Sequence, residues 1–127
     1  MDKKTILLVE DDQYNRDILR EILEEIDNYS VVEATNGVDA LTWLEQHSPP
    51  ALILLDMMMP QMDGYALLSH LRQSGQIAGL RVIGISARAQ ADDQDKALEA
   101  GCWRYLTKPF NIVEVEAIVN EALDQGL

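Results

Sequence analysis

The chain has 127 residues, enough for one domain with a hydrophobic core and too few for two ordinary domains. Hydrophobic residues make up 47% of it and charged residues 25%, a balance that excludes an intrinsically disordered chain. The formal net charge of −12 argues against binding to nucleic acid or to an anionic membrane, because their phosphates would be repelled. We therefore expect a single domain spanning 1–127, with basic or cation-bearing partners.

Cysteine usage and the N-terminal sequence favour a cytoplasmic protein. Cys102 is the single cysteine, so no internal disulfide can form. The apolar run near the N-terminus is far too short for a signal peptide or a membrane span. We expect no membrane contact and a reducing, cytoplasmic setting.

Short apolar runs alternate along the chain with segments of helical spacing. The runs predict five strands, at 5–9, 31–34, 51–55, 81–85 and 103–106. Helical spacing predicts helices at 14–26, 38–44, 65–71, 90–101 and 115–123. The fourth helix has Leu98 as its one large apolar residue, so we expect it to be weakly anchored and to end at Gly101.

Strands that alternate with helices indicate repeated βαβ units. The predicted fold class is α/β, a doubly wound five-stranded parallel sheet with helices on both faces. In such a sheet the carboxyl ends of all strands lie at one edge, where the residues that follow them converge. Those residues are Asp11 and Asp12 after the first strand, Asp56 after the third, Ser86 after the fourth and Lys108 after the fifth.

Three carboxylates, one hydroxyl and one ammonium suit a site for a hard cation and a phosphoryl group. The stretch "LLVEDD", residues 7–12, supports this, because three adjacent acids at the end of a buried strand repel one another unless a cation offsets them. Each residue also has a plainer explanation. Asp11 or Asp12 could be the N-cap of a helix that begins near Gln13, and Lys108 could be a surface lysine. Their joint occurrence at strand ends favours the site.

Four stretches of the chain together resemble the receiver domain of two-component response regulators. They run from "ILLVEDD" through "LILLDMMMPQMDG" and "VIGISA" to "ALEAGCWRYLTKPF", so the resemblance covers nearly the whole chain. In length the chain is similar to the stand-alone, chemotaxis-regulator-like kind, which has no output domain. The resemblance implies a flavodoxin-like strand order, 2-1-3-4-5.

The resemblance implies a phosphoacceptor and a metal site. Asp56 would accept the phosphoryl group. Asp11, Asp12 and Asp56 would hold Mg²⁺, or Mn²⁺ in its place, together with the backbone carbonyl of Met58. No other cofactor is implied.

The resemblance also implies residues that bind the phosphoryl group and respond to it. Ser86 would form a hydrogen bond to the phosphoryl group and Lys108 would pair with it. Tyr105 would be the aromatic switch residue. Met58 and Arg88 would modulate the lifetime of the phosphate.

The implied function is that of a single-domain response regulator. A sensor histidine kinase or a phosphotransfer protein would donate the phosphoryl group to Asp56 in a Mg²⁺-dependent reaction. The output would be contact with a downstream protein at the surface of the fourth helix, fifth strand and fifth helix. We expect a monomer or weak dimer that is not an enzyme, beyond assisting its own phosphorylation and dephosphorylation.

Three other functions share part of this pattern. A phosphatase of the haloacid dehalogenase type would carry a second acid two residues after its nucleophile, where this chain has Met58. A flavodoxin-like flavin carrier needs a phosphate loop rich in hydroxyl and amide groups after the first strand, where "EDDQ" would repel the phosphate. A receiver used only as a scaffold would lack Asp56 or Lys108, and both are present.

Overall fold

The computed structural model of the protein describes residues 4–123. Its strands are β1 (Lys4–Val9), β2 (Tyr29–Ala34), β3 (Leu52–Asp56), β4 (Val82–Ser86) and β5 (Arg104–Thr107). Its helices are α1 (Gln13–Glu24), α2 (Gly37–Gln46), α3 (Gly64–Gln73), α4 (Ala91–Ala100) and α5 (Ile112–Ala122). All of the predicted strands and helices are present, with ends shifted by a few residues. A 3₁₀-helical turn at Gln76–Gly79, which we did not predict, lies between α3 and β4.

The five strands form one parallel sheet in the order β2-β1-β3-β4-β5. This confirms the predicted fold class and strand order. β3 and β4 are buried along their whole length, which agrees with their unbroken apolar runs, whereas β2 and β5 lie at the edges and are partly exposed.

Alternating side chains of the strands supply two hydrophobic cores, one on each face of the sheet. On one face, α2, α3 and α4 cover Leu7, Val9, Ile53, Leu55 and Val82. On the other face, α1 and α5 cover Ile6, Leu8, Leu52, Leu54, Ile83, Ile85 and Leu106. Among the described residues, no helix has both the length and the apolar character needed to cross a membrane.

Helix α4 is weakly anchored, as its sequence predicts. Ala97 is its buried residue, while Leu98 is 38% exposed. The helix ends at Gly101, whose φ of 125° suits a residue without a side chain. Polar contacts to α3 supplement this small apolar contact: the Lys96 ammonium lies 4.7 Å from the centre of the Tyr65 ring, and the Arg72 guanidinium donates a hydrogen bond to the Glu99 carbonyl.

Candidate functional site at the carboxyl edge of the sheet

Two buried carboxylates face each other where β1 and β3 end. Leu8 of β1 lies opposite Leu54 of β3, so the residues two positions further on, Glu10 and Asp56, share the same face of the sheet. The Glu10 N–H donates to the Ala34 carbonyl at 3.1 Å and extends the strand ladder by one residue. Glu10 is fully buried and Asp56 is 2% exposed. The register therefore brings two acids together in a place that excludes water.

A third acid and one lysine complete this cluster. Carboxylate oxygens of Glu10, Asp11 and Asp56 lie within 4.8 Å of one another. The Lys108 ammonium lies 2.8 Å from Glu10 Oε1 and 3.3 Å from Asp56 Oδ2. The Lys108 N–H donates to the Ser86 carbonyl, which fixes its backbone beside the end of β4. Three carboxylates against one ammonium leave the cluster net negative, so it favours a further cation.

The oxygen atoms of the cluster fit a hard divalent cation. Glu10 Oε1 is buried and receives no well-directed hydrogen bond, although the Lys108 ammonium is close. Two other oxygens are positioned by backbone amides: Glu10 Oε2 accepts from the Asp12 N–H, and Asp56 Oδ1 accepts from the Met58 N–H, each at 3.0 Å. Carboxylate oxygens are the ligands that Mg²⁺ prefers in proteins. The cluster is therefore a candidate metal site.

Burial and charge shift the protonation of this cluster. Burial, and after it the Glu10 carboxylate, raises the pKa of Asp56 from 3.8 to about 7, while the Met58 N–H and the Lys108 ammonium oppose this rise. Burial by itself lowers the pKa of Lys108, but the Glu10 and Asp56 carboxylates outweigh it and raise the pKa above its usual value. Lys108 is thus held as a cation, and ionised Asp56 needs positive charge nearby.

Ser86 and Tyr105 both form hydrogen bonds to the loop that joins β4 to α4. Ser86 ends β4, is buried, and its Oγ accepts a hydrogen bond from the Arg88 N–H at 3.1 Å. The Tyr105 hydroxyl donates to the Arg88 carbonyl at 2.6 Å. One residue of this loop therefore connects the predicted phosphate-binding hydroxyl to the predicted switch residue.

Gly64 is a residue of the site that sequence reasoning missed. It begins α3, and a Cβ on it would lie 2.8 Å from the Met57 Cα and 2.9 Å from the Asp56 carbonyl oxygen. Because a side chain at this position would collide with the backbone that follows β3, glycine is required for α3 to begin so close to the site. The residues of "PQMDG", 60–64, are typical of a turn, but this local pattern does not indicate the close approach of Gly64 to β3.

Residues 6–120 match the family model of the response regulator receiver domain. The chain belongs to the response regulator receiver family. It is 38% identical to the response regulator Rre1 of Synechocystis over 119 residues, which cover 94% of this chain and 51% of that protein. It is 35% identical to the chemotaxis protein CheY of Halobacterium salinarum over 121 residues, which cover 94% of this chain and 97% of that protein. The solved Mn²⁺-bound form of response regulator Rcp1 is 28% identical, with a TM-score of 0.84 and coverage of 98% and 97% of the two chains.

Membership of the receiver family confirms the resemblance of the sequence and counts against two of the three alternative functions. Receiver domains belong to two-component systems, where they interact with histidine kinases and downstream targets. The phosphatase and flavin-carrier interpretations are not supported, because the family match extends over nearly the whole chain.

In this receiver domain, the first-strand acid that faces Asp56 is Glu10, whereas we expected Asp12 in the metal site. Asp12 has an extended backbone, with φ −87° and ψ 122°, and its carboxylate accepts a hydrogen bond from the Asn15 N–H at 2.9 Å. It is the N-cap of α1, the alternative that its sequence position left open. The candidate ligand set is therefore corrected to Glu10, Asp11 and Asp56.

Replacement of Asp12 by alanine tests this correction. Loss of the N-cap is expected to lower the free energy of unfolding by about 1 kcal/mol. Mg²⁺ affinity, measured by calorimetry, should fall much less than on loss of a ligand, because Arg16 and Ala34 still hold the backbone of Glu10. Removal of the same charge in Asp11→Asn should weaken binding at least about ten-fold, since even residues that only support metal ligands act on that scale. Equal losses of affinity in the two variants would restore Asp12 as a ligand.

The two predicted lifetime modulators lie at the exposed rim of the receiver site. Met58 is 47% exposed, and Arg88 is exposed as well. Their influence on phosphate lifetime stays a prediction, as does a metal contact from the Met58 carbonyl.

Proposed function

We propose that this receiver domain accepts a phosphoryl group on Asp56 in a Mg²⁺-dependent reaction, with Mn²⁺ as an alternative metal. The observation that carries the proposal is the buried Asp56 carboxylate, with two further acids within 4.8 Å and the Lys108 ammonium at 3.3 Å. The structural neighbour Rcp1 has been solved in a Mn²⁺-bound form, which supports binding of a divalent cation by this fold.

Glu10, Asp11 and Asp56 would hold the metal, together with the backbone carbonyl of Met58. When bound, the metal supplies positive charge that offsets the acidic cluster and the oxygens of an incoming phosphoryl group. The same charge favours the ionised form of Asp56, whose pKa of about 7 otherwise leaves much of it protonated near neutral pH.

The donor would be a phosphohistidine on a sensor histidine kinase or a phosphotransfer protein. An ionised oxygen of Asp56 attacks the phosphorus atom, the new O–P bond forms as the P–N bond breaks, and the bonding pair leaves with the imidazole. Lys108 pairs with the phosphoryl oxygens. Ser86 Oγ accepts from the Arg88 N–H, so its own hydrogen is available to donate to a phosphoryl oxygen.

In this scheme the protein is a phosphotransfer acceptor and not an enzyme. Its residues assist one phosphorylation and the later hydrolysis of its own acyl phosphate, in which water attacks the phosphorus atom and Asp56 is released as a carboxylate. The protein contributes position and charge, which are the main contributions to phosphoryl transfer.

Intact mass after incubation with acetyl phosphate tests this proposal. With Mg²⁺ we expect one phosphoryl group per chain, and with EDTA none. An equal adduct in EDTA would contradict the metal dependence. No adduct with Mg²⁺, in a protein that binds Mg²⁺, would contradict the role of Asp56.

Phosphorylation would then change the surface formed by α4, β5 and α5. The phosphoryl group draws the Ser86 hydroxyl toward it and loosens the Arg88 N–H. The Tyr105 ring can then rotate away from the Arg88 carbonyl and release the loop before α4, a helix with little apolar anchorage. The result is a shift between two populations, which a downstream protein would detect.

Replacement of Tyr105 by phenylalanine tests this switch. Loss of the hydrogen bond to the Arg88 carbonyl is worth about 1 kcal/mol, which corresponds to a roughly five-fold gain in the released population. Amide chemical shifts at 87–100 in the unphosphorylated variant should move toward those of the phosphorylated wild type. Tyr14→Phe, on the exposed face of α1, is the control. Unchanged shifts and unchanged relaxation of α4 after phosphorylation would rule out the switch.

A further inference from the structure

Arg16 contacts the loop that carries two of the candidate metal ligands. Its Nη1 donates to the backbone carbonyls of Glu10, at 2.9 Å, and Asp11, at 3.0 Å. The first carbonyl of the α1 ladder is that of Asp12, which accepts from the Arg16 N–H. The Glu10 and Asp11 carbonyls therefore precede the helix and lie outside its own hydrogen bonding.

We propose that Arg16 is a positioning residue for the metal site, holding the loop so that the Glu10 and Asp11 carboxylates meet Asp56. The inference rests on the proposed function, since it concerns the affinity of that site for its metal. Arg16 acts on the backbone of the ligands and not on the metal or the phosphoryl group.

The loop between β1 and α1, residues 10–12, is held at both of its ends as well as by Arg16. At the strand end, the Glu10 N–H donates to the Ala34 carbonyl. At the helix end, the Asp12 carboxylate accepts from the Asn15 N–H. Arg16 lies one turn into α1 and binds the two peptide carbonyls between these points. The backbone of the loop is thus fixed by β2 at the strand end and by α1 along the rest of its length.

Such support is needed because the loop carries acids that repel one another. Glu10 and Asp11 lie within 4.8 Å of Asp56 before any metal is counted. Asp11 is exposed, so a free loop would let its carboxylate swing outward into water. Two charge-assisted hydrogen bonds from one guanidinium nitrogen oppose that movement. A lysine at this position would keep the charge but could not reproduce the planar geometry.

The test is the Mg²⁺ dissociation constant, measured by calorimetry without a phosphodonor. Arg16→Gln is expected to weaken binding about ten-fold or more, the effect typical of residues that orient metal ligands. The Mg²⁺ dissociation constant of Arg16→Lys should lie between those of Arg16→Gln and wild type. Arg20→Gln is the matched control: it removes the same charge from the next turn of α1, where Arg20 pairs with Glu24 and Glu33. The Mg²⁺ affinity of Arg20→Gln should stay within about two-fold of the wild-type value, because solvent and salt screen the Arg20 charge.

A second readout uses the metal-free protein. The Asp12 N–H, which donates to Glu10 Oε2, should exchange with solvent faster in Arg16→Gln than in Arg20→Gln. Equal affinity and equal exchange in these two variants would overturn the inference. If Arg16→Gln fails to fold, Arg16→Lys decides: an affinity equal to that of Arg20→Gln overturns the inference, and a weaker one supports it. Unchanged Mg²⁺ binding in Asp11→Asn would instead count against the proposed metal site.

Discussion

Replacement of Asp56 by asparagine is expected to abolish the phosphoryl adduct and to stabilise the metal-free protein at neutral pH. The amide cannot form the acyl phosphate. It also removes a buried carboxylate that faces Glu10, while an amide oxygen can still accept the Met58 N–H. Function and stability therefore conflict at this residue.

The pH dependence follows from the raised pKa of Asp56. In the folded protein the Asp56 carboxyl holds its proton up to about pH 7, whereas in the unfolded chain it releases the proton near pH 3.8. Preferential protonation of Asp56 therefore stabilises the folded state. This contribution is fully present below pH 3.8 and is lost as the pH rises toward 7. At about 1.4 kcal/mol per pKa unit, the loss amounts to a few kcal/mol. Asp56→Asn should lack this loss, and at pH 8 should be about 2–4 kcal/mol more stable than wild type.

Urea unfolding in EDTA between pH 4 and pH 8 measures this effect. Asp17→Asn, which removes an exposed acid from α1, is the control and should follow the wild-type curve. If the free energy of unfolding of Asp56→Asn falls with pH as steeply as that of wild type, the raised pKa is contradicted. Lower stability than wild type at pH 8 would contradict it as well. A phosphoryl adduct on Asp56→Asn would show that another residue accepts phosphate.

Replacement of Lys108 by alanine is expected to slow adduct formation and to destabilise the protein. The ammonium lies 2.8 Å from Glu10 Oε1 and 3.3 Å from Asp56 Oδ2, so its loss leaves two buried carboxylates without this partner. Because its side chain is 20% exposed, we expect a loss of about 2–4 kcal/mol at pH 8, somewhat less than for a fully buried pair. Loss of charge at the phosphoryl oxygens should slow the reaction by about 10²–10³.

Three comparisons separate these two effects of Lys108. Lys108→Arg keeps the charge and should retain most of the stability. Lys96→Ala removes a lysine that lies over Tyr65, and its adduct should form at the wild-type rate. In the Asp56→Asn background, Lys108→Ala should destabilise less, because one of its two carboxylates is gone. An equal loss in both backgrounds would mean that Lys108 stabilises the fold without its contact to Asp56.

The secondary structure was largely predictable from local pattern. Among the described residues, apolar runs located every strand and helical spacing located every α-helix, because burial on one or both faces imposes these periods. The weak anchorage of α4 followed from its one large apolar residue, Leu98. The 3₁₀-helical turn at Gln76–Gly79 was missed because "QIAG" carries no periodic signal. Element ends were less accurate: Asp56 and Ser86 are the last residues of their strands and not the first after them.

The sequence by itself placed Asp56, Ser86 and Lys108 at one edge of a parallel sheet, because each follows an apolar run and parallel strands end together. Only the tertiary structure decided which acid of "LLVEDD" faces Asp56. Side chains alternate between the two faces of a strand, and the pairing of Leu8 with Leu54 directs Glu10 inward, while the start of α1 makes Asp12 a cap. The register depends on contacts between distant segments, so no local pattern could give it. The cap is a local contact, and the sequence offered it only as one of two roles for Asp12.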